Sequence, residues 1–113
     1  MKVIVAGSRT FTDYELLKLT CDNIKNKITE IVSGGARGAD KLGEQYAVES
    51  GFSIKQFPAD WDRWGKSAGY KRNAEMAEYA DALIAFWDGS SKGTKHMIDL
   101  AKKNNLKIKV VLL

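Results

Sequence analysis

The residues able to do chemistry gather in three short polar stretches. The richest is Ser33-Gly34-Gly35-Ala36-Arg37-Gly38-Ala39-Asp40, which follows the apolar pair Ile31-Val32. The others are Gly7-Ser8-Arg9 and Asp88-Gly89-Ser90-Ser91-Lys92-Gly93-Thr94. Each sits between an apolar run and a helical pattern, so each reads as a turn from strand into helix. Glycine lets backbone approach a ligand closely. A helix N-terminus presents unpaired N–H groups and partial positive charge, which attract anions. Arg9 and Arg37 add fixed cations that can fork onto a phosphate or carboxylate. Asp40 suits a ribose hydroxyl, or serves equally well as an acid favourable to the helix dipole. The chemistry these residues share is the holding of a phosphate-bearing, nucleotide-like molecule.

Four further groups qualify that expectation. Arg72 and Asn73 lie on an otherwise apolar helix face, where polar groups need partners. They either bind ligand or brace the loops. Trp61 and Trp64 could stack on a base, contact a protein or cap the core, and core capping is expected of one of them. Trp87 closes an apolar run beside Asp88 and could flank a base. His96, the sole histidine, falls off the apolar stripe and is expected to be exposed rather than catalytic. Asp40 and Asp88 are the candidate acids or bases, with catalysis unassigned.

The motifs also exclude. The glycines at 34, 35 and 38 do not make Gly-x-Gly-x-x-Gly, and no Lys-Ser/Thr pair follows a Gly-x-x-x-x-Gly. One histidine, one cysteine and no clustered carboxylates give no metal site, and no cofactor is expected. Cys21 lies in a helix stripe and reads as a small buried hydrophobe. With 113 residues, 44% hydrophobic and 28% charged, the chain suits one domain spanning 1–113. The net charge of +4 permits nucleic-acid binding without requiring it. No apolar run reaches the ~20 residues of a membrane span, and no signal peptide is evident. The expected location is the cytoplasm, with a homo-oligomer among the expected assemblies.

The elements that must position these groups follow from periodicity. Lys2–Ala6 and Ala82–Trp87 are apolar runs that read as buried strands. Strands are also expected at Thr29–Ser33, Ser53–Phe57 and Lys107–Leu113. A first helix starts at a Thr12/Glu15 capping box and carries the stripe Tyr14, Leu17, Cys21, Ile24, Ile28. A second buries Ala39, Leu42, Tyr46, Ala47 and Ser50, and stops at Gly51. A long irregular connection, Pro58–Ala68, precedes a third helix over Gly69–Tyr79. A fourth buries Thr94, Met97, Ile98 and Ala101. Five strands alternating with four helices predict an α/β, Rossmann-like three-layer sandwich, with a mainly parallel sheet in the order 3-2-1-4-5. All three polar turns then fall on the carboxyl edge of the sheet, beside the switch in strand order.

These segments resemble the SLOG superfamily, named for the DNA-processing Smf/DprA proteins and the Lonely Guy (LOG) enzymes. The resemblance rests on Gly7-Ser8-Arg9, on Ser33–Asp40 and on Gly93-Thr94. It also rests on Ala59-Asp60-Trp61 with Gly65–Asn73 and Met76, which is closest to the small YspA-like SLOG domains. It implies a Rossmann-like domain, often of phage or bacterial origin, that senses or processes nucleotide-derived ligands. A ligand-site role is implied for Ser8, Arg9, Gly34, Gly35, Arg37, Asp40, Gly93 and Thr94; Gly7, Ala36, Gly38, Trp87, Asp88 and Ser90, in or beside the same turns, are expected to line the same site. A site-proximal role is implied for Asp60, Trp61, Arg72 and Asn73. The LOG hydrolases carry Pro-Gly-Gly-x-Gly-Thr-x-x-Glu with a catalytic glutamate. Here Met97 stands at that position, so hydrolysis of a nucleotide or nucleoside by that residue is not implied. The alternative reading is a single-stranded nucleic-acid-binding module.

Overall fold

A computed structural model describes the whole sequence, Met1–Leu113. The chain runs β1 (Lys2–Gly7), α1 (Tyr14–Asp22), β2 (Glu30–Ser33), α2 (Ala39–Ser50), β3 (Ser53–Gln56), α3 (Trp61–Trp64), α4 (Ala68–Tyr79), β4 (Ala82–Trp87), α5 (Lys92–Lys103) and β5 (Lys107–Leu112). The five strands form one sheet in the order β3-β2-β1-β4-β5. Every neighbouring pair is parallel, so the sheet is wholly rather than mainly parallel.

Alternation along the strands divides the core into two layers. Val3, Val5, Ile31, Ile84 and Phe86 face α1 and α2, meeting Leu17, Cys21, Tyr46 and Ala47. Ile4, Ala6, Val32, Leu83 and Ala85 face α4 and α5, meeting Met76, Ala77, Met97 and Ile98. β1 and β4 are buried on both faces, which explains why each reads as a continuous apolar run. β1 pairs with β2 on one side and with β4 on the other. Their carboxyl ends flank the point where the strand order reverses.

Several local details differ from expectation. Asp13, not Thr12, caps α1: its carboxylate accepts from the Leu16 amide at 3.0 Å. A helix that starts one residue later puts the N3 amide within reach of Asp13. α1 ends at Asp22, so Ile24 and Ile28 reach the core from beyond the helix, around a 3-10 turn at Lys25–Lys27. In α2, Gly43 is buried where Leu42 and Ser50 are only half-buried. A Cβ at Gly43 would come within 2.7 Å of the Val5 side chain, so helix and sheet touch at this glycine.

The connection after β3 is more regular than expected. Asp60 caps the short helix α3 by accepting from the Arg63 amide at 3.1 Å. A 3-10 turn at Gly65–Ser67 then leads into α4, which gives five helices rather than four. Neither tryptophan caps the core: Trp61 is 52% exposed and Trp64 41%. Trp64 instead meets two cations, Arg63 at 4.7 Å and Lys71 at 4.1 Å from its ring. No helix is long and apolar enough to cross a membrane.

Candidate functional site

The loop from β2 into α2 is fixed from three sides. Ser33 Oγ donates to Glu44 at 2.6 Å and accepts from the Gly35 amide at 3.0 Å. The Asp40 carboxylate reaches back to accept from the Ala36 amide at 3.2 Å. Arg72, from α4, donates through Nη1 to the Gly34 carbonyl at 2.6 Å. Two amides that a phosphate cradle would use, those of Gly35 and Ala36, are therefore turned inward onto the protein's own side chains.

The glycines answer to this packing. A Cβ at Gly34 would stand 2.4 Å from Arg72 Nη1 and 2.8 Å from Asp40 Oδ2. Gly38 has φ +76°, and a Cβ there would stand 2.3 Å from the Ser8 carbonyl oxygen. Gly38 thus lets the loop after β2 close against the loop after β1. The Ser8 carbonyl accepts from Phe11 and Ala39 amides, which completes that junction.

The loop after β4 is held mainly by itself. Asp88 Oδ1 accepts from the amides of Ser90 and Ser91, an Asx turn, at 2.9 and 2.8 Å. Ser91 Oγ caps α5 by accepting from the Thr94 amide and also meets the Thr94 hydroxyl. From α4, Asn73 Nδ2 donates to the Gly93 carbonyl at 3.4 Å, and from the end of β4 the Trp87 indole donates to the Ser91 carbonyl at 3.1 Å.

Two adjoining hollows open between these loops. The first, about 590 Å³, is walled by Arg9, Arg37, Lys41 and Arg72, with Trp61, Pro58 and Gln56 on its far side. The second, about 380 Å³, lies deeper and is lined by Ser8, Asp40, Asn73, Asp88, Ser91 and Thr94 over a floor of Met76 and Met97. Arg9, Ala36 and Arg72 belong to both and form the sill between them. Both volumes fall within the range of small-molecule sites, about 300–1,000 Å³. The Ser8 hydroxyl is buried on this inner hollow without a well-formed hydrogen bond, although it stands close enough to the Asp88 carboxylate to help hold that group's anion.

Charge is graded across them. The outer hollow carries four cationic side chains and no carboxylate. The inner hollow shares two of those cations, Arg9 and Arg72, and sets Asp40 and Asp88 beside them. Burial raises the Asp40 carboxyl from 3.8 to about 6, against the pull of the Ala36 amide and the Arg72 charge, while Glu44 pushes it up further. Asp88 lies below the usual carboxylate range because the Ser90 and Ser91 amides hold its anion. Burial lowers the Arg72 guanidinium, with Asp40 opposing and Arg9 adding to the effect. A guanidinium so placed remains charged.

Comparison with known proteins decides what kind of domain this is. Residues 1–64 match the family described as YAcAr: YspA, cpYpsA-related SLOG family. The chain is 33% identical over 119 residues to the Gene 61 protein of Mycobacterium phage D29, covering 95% of this chain and 93% of that protein. It belongs to the YspA-related SLOG family. The fold of this SLOG domain is also that of DNA processing protein A (DprA) from Streptococcus pneumoniae, with a TM-score of 0.81 at 18% identity. That match covers 96% of this chain and 49% of the other, so the SLOG domain spans about half the length of DprA.

Most of the residues expected at the site line one hollow or both. Gly7, Ser8, Asp40, Asn73, Asp88, Gly93 and Thr94 line the inner one. Gly34, Gly35, Arg37 and Trp61 line the outer one, and Arg9, Ala36 and Arg72 line both. Gly38, Asp60, Ser90 and Trp87 line neither. Gly38 is a packing residue, and Asp60 and the Ser90 amide serve local turns. Trp87 turns to the opposite side from Phe86, packs against the α4–α5 layer and donates its indole N–H to the Ser91 carbonyl at 3.1 Å. The position of the LOG glutamate, Met97, is 1% exposed and forms apolar floor. Lys41 and Gln56 were missed from sequence. Lys41 stands in the first turn of α2 and Gln56 ends the edge strand β3, so the carboxyl-edge rule could have found both.

Proposed function

We propose that this SLOG domain binds a nucleotide or nucleotide-derived ligand across the two hollows. The observation that carries the reading is their graded lining. Arg9, Arg37, Lys41 and Arg72 converge on the outer hollow, while the inner one, which shares Arg9 and Arg72, adds the hydroxyls of Ser8, Ser91 and Thr94 and the carboxylates of Asp40 and Asp88. The four cations suit phosphate oxygens, and the exposed face of Trp61 suits a base. Asp40 and the buried Ser8 hydroxyl suit sugar hydroxyls. The domain accordingly serves as a sensor of such a ligand, with turnover as a distinct step to be tested. Asp40 is the candidate proton-transfer group, because its carboxyl at about 6 exchanges protons close to neutral pH.

A panel of nucleotides, cyclic nucleotides, NAD and ADP-ribose, read by thermal shift, tests binding. A ligand at ~100 times its Kd adds about 2.7 kcal/mol of stability. No shift with any member contradicts the reading. Chromatography for released base then separates a hydrolase from a sensor.

One observation favours a second reading. Trp61 and Trp64 are exposed, and Arg63 and Lys71 meet the Trp64 ring, an arrangement that suits stacking and phosphate contact in a single strand. Likeness to DprA, named as a DNA processing protein, points the same way at the level of fold. Single-strand binding that weakens steeply with salt supports it, and salt-independent or absent binding contradicts it.

A further inference from the structure

His96 lies outside both hollows, yet it is joined to their sill by a continuous chain of hydrogen bonds. Its Nδ1 meets Asn73 Nδ2 at 3.3 Å. Asn73 Oδ1 accepts from Arg72 Nε at 3.1 Å. Arg72 Nη1 donates to the Gly34 carbonyl at 2.6 Å. The order of donors along this chain is forced. Arg72 Nε can only donate, so Asn73 turns its oxygen toward Arg72 and its NH₂ away. That NH₂ has two hydrogens, one aimed at the Gly93 carbonyl and one at His96. His96 Nδ1 must then accept, which places the ring proton of the neutral imidazole on Nε2.

We propose that His96 is the positioning residue for Arg72, acting through the Asn73 carboxamide, and that a proton on His96 Nδ1 releases Arg72 from its place over Gly34. A proton taken from solvent turns Nδ1 into a donor that faces the donor Nδ2 of Asn73. If the carboxamide turns over to satisfy His96, its NH₂ faces the donor Arg72 Nε instead. In the first case the link from His96 to Asn73 breaks, and the carboxamide that holds Arg72 loses its anchor on α5; in the second the link from Asn73 to Arg72 breaks, and Arg72 is released directly.

The surroundings of His96 favour the neutral state. Burial lowers its pKa from 6.5, and Asp99 on the same helix opposes that shift. Lys92 and Lys95 of α5 line the same surface groove, and Tyr70 of α4 meets the ring edge-on at 4.5 Å between centroids. Asn73 completes the α4 side. At the other end of the chain, Arg72 faces Asp40 and Arg9. Protonation of His96 therefore falls on the acid side of the ordinary histidine range.

The relay has a diagnostic sign. Added positive charge at low pH ordinarily strengthens anion binding. A relay through His96 weakens it, because the best-buried cation of the sill loses its brace. This consequence rests on the reading of the hollows as an anion site; the relay itself does not.

The decisive experiment follows the ligand-free protein by NMR from pH 8 to 4.5. Asp40→Asn serves as the background, so that the other titrating neighbour of Arg72 is silent. The expected result is an Nε2–H tautomer for His96 at high pH. The Asn73 side-chain amide and Arg72 Nε–H signals should then move with the same midpoint as the imidazole. His96→Asn, whose Oδ1 stands near the place of Nδ1, should hold those signals at their high-pH positions throughout, and His96→Ala should displace them at every pH. An Nδ1–H tautomer, or an Arg72 signal indifferent to the His96 titration, overturns the relay. A second arm titrates ADP-ribose, whose diphosphate diester keeps a fixed charge over this range. From pH 8 to 5 the wild-type affinity should fall about tenfold more than that of His96→Asn, the worth of about one hydrogen bond. An equal pH dependence overturns the coupling to ligand. Absence of binding at every pH contradicts the anion-site reading, and the NMR result then decides the relay alone.

Discussion

The loops after β2 and after β4 both carry glycines at the carboxyl edge of the sheet, and they carry them for different reasons. After β2, a Cβ at Gly34 or Gly38 would run into Arg72, Asp40 or the Ser8 backbone. Packing alone explains those two residues. After β4, a Cβ at Gly89 or Gly93 would meet nothing within 4 Å. Gly93 sits in the first turn of α5 and shows no positive φ, so neither strain nor crowding requires it. A glycine inside a helix costs about 0.5–1 kcal/mol relative to alanine. Gly93 lines the inner hollow, so an approaching ligand is the remaining reason for it on the reading proposed above. The more glycine-rich loop is thus the frame, and the plainer one is the face left open.

Substitutions can sharpen or break that contrast. The largest effect is expected from Gly38→Ala, which combines a left-handed backbone with a clash against the Ser8 carbonyl. It should destabilise the fold by about 4 kcal/mol in urea denaturation. A loss below about 1 kcal/mol would mean that the loop after β2 is not a packed frame.

Next comes Asp40→Asn, which probes the carboxyl beneath that frame. The folded-state pKa lies above the ordinary 3.8, so the stability tied to its protonated form is complete below about 3.8 and is lost as pH rises through about 6. A rise from 3.8 to about 6 corresponds to about 3 kcal/mol. The variant should therefore gain on the wild type by up to that amount at pH 8 and by little at pH 3.5. Equal pH profiles for the two proteins would show that the carboxyl is not strained by burial.

The smallest effect is the most discriminating. Gly93→Ala should raise stability by about 0.5–1 kcal/mol and at the same time weaken binding of any nucleotide that stabilises the wild type. Improved stability with unchanged binding would leave both glycine loops structural.

The fold was legible because its signals are local. Uninterrupted apolar runs at β1 and β4, polar turns after strands and the alternation of elements fix the layers and the strand order. α3 was not legible, since four residues carry no periodicity and its cap, Asp60, looks like any loop aspartate. The convergence of Ser8, Arg9, Arg37, Asp40 and Thr94 was legible from topology alone. The inward turn of the Gly35 and Ala36 amides was not, because it depends on where Ser33 and Asp40 aim their oxygens once α2 has docked. Trp87 was misplaced for a related reason. Its neighbour Phe86 stacks on Phe11 at 4.9 Å, and strand alternation then sends Trp87 to the other layer.

With those amides engaged, recognition of an anion in the outer hollow falls chiefly to its side-chain cations, and Arg37 is the exposed one carried by the loop itself. Titration calorimetry of the best nucleotide from the panel against wild type and Arg37→Ala is the most direct measurement. The account predicts binding at least tenfold weaker in the variant, the worth of a charge-assisted contact, with the unfolding temperature unchanged. Equal affinity in the two proteins would contradict it.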